Sequence, residues 1–191
     1  RERYTGGKPY FLYVGSLHPR KNVDNLLEAY TEFVRRTGSD IRMVVVGERM
    51  WKGNGKRQDK AFHPAIIHTG RLEIDELRMV MGAALALTFI PWYEGFGIPV
   101  VEAMAAGVPV LTSDVTSMPE VGGLAVLTAD PASVESIVRG MEKMAGDPDL
   151  RAELIQKGLE RSKAFTWDKT ARKVWLSIDT VVRAISDHGG K

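Results

Sequence analysis

Residues 84–112 run Ala84-Leu-Ala-Leu-Thr-Phe-Ile90, Pro91-Trp-Tyr-Glu-Gly-Phe-Gly97, Ile98-Pro-Val-Val-Glu-Ala-Met-Ala-Ala106, Gly107, then Val108-Pro-Val-Leu-Thr112. Two short apolar runs flank a helical segment over Ile98–Ala106 that Gly107 closes. Neither run alternates with polar residues, so each reads as a strand covered on both faces. Strand, helix and strand in that order form a parallel unit.

The same alternation extends outward in both directions. Tyr10-Phe-Leu-Tyr-Val-Gly15 is a first strand, and Val23, Leu26, Leu27, Tyr30, Phe33 and Val34 follow at helical spacing up to Gly38. Ile41–Val46 and Ala65–His68 are further strands, ended by Gly47 and Gly70, and a helix covers about Asp75–Gly82. Leu124–Leu127 is the sixth strand. From Ser133 to about Ser186 the pattern is helical, broken at Gly146-Asp-Pro148 and near Phe165-Thr166. Right-handed crossovers turn this order into one α/β domain, a doubly wound parallel sheet of Rossmann-like type. Residues 1–9 read as a linker, 10–191 as the domain, and Glu48–His63 as a mobile surface loop.

Composition is that of a globular chain: 191 residues, 44% hydrophobic and 26% charged. The net charge of +2 supports no polycationic surface, which argues against nucleic acid as a partner. With no Cys, disulfides, thiolate zinc and a cysteine nucleophile are excluded. His18, His63, His68 and His188 share no metal-ligand spacing, so no protein-held metal is expected. No apolar run is long enough to cross a bilayer.

Ligands of doubly wound sheets sit at the carboxyl ends of the strands, and three strand exits stand out. The first is Gly15-Ser-Leu-His-Pro-Arg-Lys-Asn22. Arg20 and Lys21 before a helix N-terminus make a diphosphate site, and a turn with solvated cations is the equal alternative. The second is Glu94-Gly-Phe-Gly-Ile98, with Glu102 about one turn into the helix. Here the amides of Phe96, Gly97 and Ile98 can donate to oxyanions or hydroxyls, and both carboxylates can accept from vicinal diols. The competing reading makes Glu94 a helix cap and Glu102 a surface ion pair. The apolar context of that helix favours burial, and a buried carboxylate needs a partner. The third exit, His68-Thr-Gly-Arg-Leu72, is placed beside the second and could present backbone to a flat base, or be a plain turn. Trp92 and Tyr93 read as core beside a strand end, with a sugar platform as the alternative, and Trp175, Leu176, Val181 and Val182 read as packing, with part of that stripe facing a missing domain. Ser113, Thr116 and Ser117 lack a nucleophile setting.

The Glu94-x7-Glu102 segment resembles the signature of the family 4 retaining glycosyltransferases. The resemblance extends to Val14-Gly-Ser16, Pro19-Arg-Lys-Asn22, Val46-Gly-Glu48, Thr69-Gly-Arg71, Val108–Ser113, Pro119-Glu-Val121 and Phe165-Thr-Trp167. It implies the C-terminal, donor-binding half of a two-domain GT-B fold. The donor implied is a nucleotide-diphosphate sugar, GDP- or UDP-linked, with no further cofactor. The Pro-Arg-Lys-Asn form and the chain's ending resemble mannosyltransferase-like members and favour GDP-mannose.

By the same resemblance Lys21 and Glu94 are the catalytic residues, on the diphosphate and on the transferred sugar. Gly15, Ser16 and Arg20 border the diphosphate, and Gly95, Phe96, Gly97 and Ile98 the sugar and its phosphate. Glu102 takes the ribose diol, and Gly70, Arg71 and Leu72 border the base. Many members carry Arg where this chain has Ser16, which leaves open a catalytically inactive nucleotide-sugar-binding or interaction module. The acceptor, a glycan or lipid, would be held by a missing N-terminal domain. The implied setting is cytoplasmic, with any membrane attachment supplied by the rest of the parent protein.

Overall fold

The computed structural model describes residues 1–48 and 63–188. Most of the Glu48–His63 segment therefore lies outside the described residues. In chain order the elements are α1 (Glu2–Thr5), β1 (Tyr10–Val14), α2 (Val23–Thr37), β2 (Arg42–Val46), β3 (Ile66–Gly70), α3 (Ile74–Gly82), β4 (Ala86–Phe89) and α4 (Ile98–Ala105). They continue with β5 (Val110–Ser113), α5 (Met118–Gly122), β6 (Leu127–Ala129), α6 (Val134–Gly146), α7 (Pro148–Ser162) and α8 (Trp167–His188).

All strand pairs are parallel, in the order β3-β2-β1-β4-β5-β6. β1 is central and buried along its whole length, which is why its sequence is uniformly apolar and aromatic. Phe11 meets Phe33 of α2 edge to face at 5.5 Å. The buried tyrosines keep a partner for each hydroxyl, Tyr10 donating to the Val80 carbonyl at 2.6 Å and Tyr30 to that of Ile41 at 2.8 Å. Burial pushes both phenols up to about 12. Helix α2 packs beside α6, and α4 beside α7.

Four expectations differ. The sixth strand begins at Leu127, and Gly123–Ala125 form a 3-10 turn that leaves Leu124 85% exposed. Close packing of Gly122 on Val126, where a Cβ would come within 2.3 Å of a methyl carbon, fits this tight turn. Helix α5 has only five residues, too few to show a helical period.

Residues 1–9, expected as a linker, contain α1, which is tied to α3. Arg1 donates to the Ala83 carbonyl at 2.9 Å, and the Tyr4 hydroxyl and Arg3 both reach Glu76. The apolar stripe of α8, expected as packing with part of it facing a missing domain, is exposed in this chain at Trp175, Leu176, Val181 and Val182, as are Trp167, Val174, Ile178 and Ile185. Trp92 and Tyr93, expected in the core, are 43% and 61% exposed. Their backbone N–H groups donate to the Arg20 carbonyl, which turns the chain away from the sheet after Pro91.

Candidate functional site

Strand order reverses between β1 and β4, which pair through Phe11–Ala86 and Leu12–Leu87. Their carboxyl ends therefore open into one crevice at the switch point, the usual ligand position of such sheets. The two segments with the most chemistry leave the sheet there.

At the β1 exit, the Gly15 N–H donates to the Val46 carbonyl at 3.0 Å and the Leu17 N–H to that of Glu48 at 3.0 Å. The backbones of β1 and β2 come so close that a Cβ on Gly47 would lie 1.9 Å from the Gly15 oxygen. Gly15 thus meets another backbone. The Ser16 carbonyl accepts from the buried Tyr13 hydroxyl at 2.9 Å. Pro19–Lys21 then form a 3-10 turn, in which His18 Nδ1 accepts from the Arg20 N–H at 3.2 Å. Asn22 closes the turn in the left-handed region, and its side chain donates to the Pro131 carbonyl at 2.8 Å.

This geometry turns Lys21 inward. Its side chain is 10% exposed, and Nζ lies 4.9 Å from the Phe89 ring centre and donates to Glu94 Oε2. Arg20 Nη1 lies 3.7 Å from the same oxygen and keeps an open face to solvent. The solvated-turn alternative therefore fails for Lys21 and describes only part of Arg20.

At the β4 exit, Glu94 has a 15% exposed side chain, and its carbonyl accepts from the Ser117 hydroxyl at 2.7 Å. The N-cap of α4 is Gly97 at φ 97°, so Glu94 is not the cap. A Cβ on Gly97 would come within 2.4 Å of the Met118 methyl. Among the described residues no side-chain hydrogen bond caps α4, whose first-turn amides carry the helix's positive end.

Glu102 sits about one turn on. Helix α4 buries Val100, Ala103 and Met104 and leaves Glu102 exposed, so the burial expected for it from its apolar neighbours does not hold. Nearby protein still desolvates the carboxyl and holds it above the ordinary glutamate range. It makes no ion pair among the described residues.

The third exit is displaced from the other two. β2 and β1 separate β3 from β4, so Gly70, Arg71 and Leu72 are on the same sheet edge but not beside the Glu94 loop. Gly70 is at φ 72°, and its carbonyl accepts from Gly47 N at 2.9 Å, while Arg71 is exposed and Leu72 packs partly against the core. Gly95 and Phe96 are exposed beside Glu94. Ser117 and Phe165 are among the site-supporting residues that sequence reading missed. Ser117 holds the Glu94 carbonyl, and the Phe165 ring lies 5.6 Å from that of Phe96. Among the described residues, no three His, Cys, Asp or Glu side chains group as metal ligands.

The model of the group 1 glycosyl transferases matches residues 2–161. The chain belongs to that family. The O-antigen chain mannosyltransferase B of Escherichia coli is 35% identical over 83% of this chain and 42% of its own length. The chain thus spans less than half of that curated relative.

Sucrose-phosphate synthase from Thermosynechococcus elongatus superposes with a TM-score of 0.80 at 23% identity, over 93% of this chain and 46% of the other. The C-terminal domain of the group 1 glycosyl transferase LpcC from Francisella tularensis does so at 0.69 and 21% identity, over 83% of this chain and 86% of that domain. These likenesses concern the fold: the family member described here is a Rossmann-like half of the GT-B type.

Proposed function

We propose that this group 1 domain is the donor-binding half of a retaining glycosyltransferase, moving a hexose from a nucleotide-diphosphate sugar to an acceptor. The observation that carries the reading is the convergence of Lys21 and Arg20 on Glu94 across the switch point. A diphosphate leaving the anomeric carbon gathers negative charge on its oxygens. Lys21, Arg20 and the first-turn amides of α4 are poised to stabilise that charge as it develops. Glu94 accepts from hydroxyls of the transferred sugar, and Glu102 from the ribose diol. Gly70, Arg71 and Leu72 reach the base from the β3 end of the edge. No protein nucleophile is required for same-face attack, and none is assigned.

Mannose carried on GDP is the favoured donor, because the Pro-Arg-Lys-Asn turn resembles mannosyltransferase-like members and the relative from Escherichia coli is named a mannosyltransferase. Glycan or lipid acceptors would bind to a facing domain outside this chain. A nucleotide-sugar donor fits a cytoplasmic site of action, with membrane attachment left to other parts of the parent protein. Ser16 supports the second reading, a binding module without turnover. Arg20 weighs against it, because its guanidinium already shares the Glu94 oxygen with Lys21 and offers a second cation.

Calorimetric titration with GDP, UDP, GDP-mannose and UDP-glucose tests the reading. Binding of a nucleotide sugar that falls at least tenfold in Lys21→Ala supports it. Absence of binding by the wild-type chain to all four would overturn it.

A further inference from the structure

Phe96 sits between Gly95 and Gly97 in the loop proposed to bind sugar and phosphate. Glycine on both sides gives that backbone wide freedom, yet oxyanion donors work only if they are held in place beforehand. The structure contains two anchors. One is Met118, packed on Gly97. The other begins far away in sequence. Phe165, in the connection between α7 and α8, meets the Phe96 ring edge to face, with centroids 5.6 Å apart and planes at 80°.

Phe165 is itself fixed. The Arg161 guanidinium lies over its ring at 5.1 Å. That guanidinium donates from Nε to the Val121 carbonyl at 3.1 Å and from Nη2 to the Glu120 carbonyl at 2.6 Å. Both carbonyls belong to α5, the helix that also supplies Met118. The two anchors of the loop thus share one support: α5 directly through Met118, and α5 through Arg161 and Phe165.

We propose that Phe165 is a positioning residue for the donor loop, acting through Phe96 to fix the backbone amides of Phe96, Gly97 and Ile98. The ligand part of the proposal rests on the donor-binding reading above. The positioning part does not, since it concerns the loop itself. Because Phe165 acts on one loop, its removal affects the sugar and phosphate end of a ligand and spares the nucleoside end at Glu102.

Hydrogen exchange of this chain without ligand, together with calorimetry, tests the proposal in Phe165→Leu, Phe165→Tyr and Phe96→Leu. In Phe165→Leu, exchange at the Val100 and Val101 amides, which donate to the Gly97 carbonyl, should speed up on the order of tenfold while the β1 and β4 amides keep their protection. Affinity for GDP-mannose or UDP-glucose should fall by a few-fold to about tenfold, the range of an edge-to-face ring pair. Affinity for guanosine and uridine should stay the same. Phe165→Tyr keeps the ring and should match the wild type, and Phe96→Leu with Phe165→Leu should be no worse than either alone. Unchanged exchange at Val100 and Val101 in Phe165→Leu, or an equal rise across the sheet, would overturn the proposal. If the wild type binds no nucleotide, the donor reading fails, and the exchange comparison still decides the role of Phe165.

Discussion

Lys21 and Glu94 stand 73 positions apart in the chain and form an ion pair across the exits of two neighbouring strands. Both side chains are mostly buried, so each depends on the other for its charge to be tolerated. Arg20 approaches the same carboxylate oxygen from the solvent side. Two cations and one carboxylate therefore occupy the place where a doubly wound sheet receives its ligand.

Lys21→Ala should reduce affinity for GDP or UDP at least tenfold and leave guanosine or uridine affinity nearly unchanged, because only the diphosphate offers charge to lose. Stability should fall by less than about 3 kcal/mol, the low end for breaking a buried pair, since Arg20 remains near Glu94. Calorimetry and urea unfolding read the two effects separately. Equal loss for nucleoside and nucleotide would point to a packing role alone.

Glu102→Gln should oppose stability to function. The folded carboxyl is held above its ordinary value by desolvation. Its contribution to stability is present below the unfolded value and is lost as pH rises through the raised folded value. Above that range the charged form is a burden on the folded state. The variant should therefore melt slightly higher than the wild type at pH 7 and gain nothing well below pH 4, near the reference range of glutamate. It should bind ribonucleotides on the order of tenfold more weakly, having lost a charged acceptor. A variant with unchanged nucleotide affinity would remove Glu102 from the site.

Gly47→Ala should be far more damaging than Gly38→Ala, although both glycines have positive φ. A Cβ at Gly38 meets nothing within 4 Å, so the substitution costs about 1–2 kcal/mol of left-handed strain. At Gly47 the added carbon would collide with the Gly15 carbonyl, a backbone atom with no rotamer to escape into. A loss above about 3 kcal/mol is expected, together with weaker nucleotide binding as the β1 exit shifts. Chemical denaturation of the two variants, compared at one temperature, gives the answer.

Sugar transfer by these 191 residues alone should be undetectable or very slow, even where donor binds. Orienting acceptor against donor is worth roughly 7–11 kcal/mol of barrier, and the sheet edge supplies only one wall of a cleft. Transfer from radiolabelled GDP- and UDP-sugars, measured with this chain alone and joined to an N-terminal domain of a full-length relative, checks this. Comparable rates from both would contradict the assignment of this domain to the donor half only.

Local pattern alone determined the class of fold and the chemistry of the exits. Uniformly apolar, aromatic and β-branched runs such as Tyr10–Val14, short and ended by glycine, read as strands covered on both faces, and helices between them make the sheet parallel. Lys21 after a strand, and Glu94 and Glu102 with seven residues between them across a loop and a helix start, are likewise local facts of the chain. Which exits meet is not a local fact. A strand's sequence encodes that its faces are apolar and leaves open which strand lies beside it. Only the order β3-β2-β1-β4 put Lys21 against Glu94 and moved Gly70–Leu72 two strands away. Ser117 and Phe165 became parts of the site for the same reason, through contacts that no periodicity records. The exposure of Trp92 and Tyr93 was also decided in three dimensions, by two hydrogen bonds to the Arg20 carbonyl that turn an apolar segment outward.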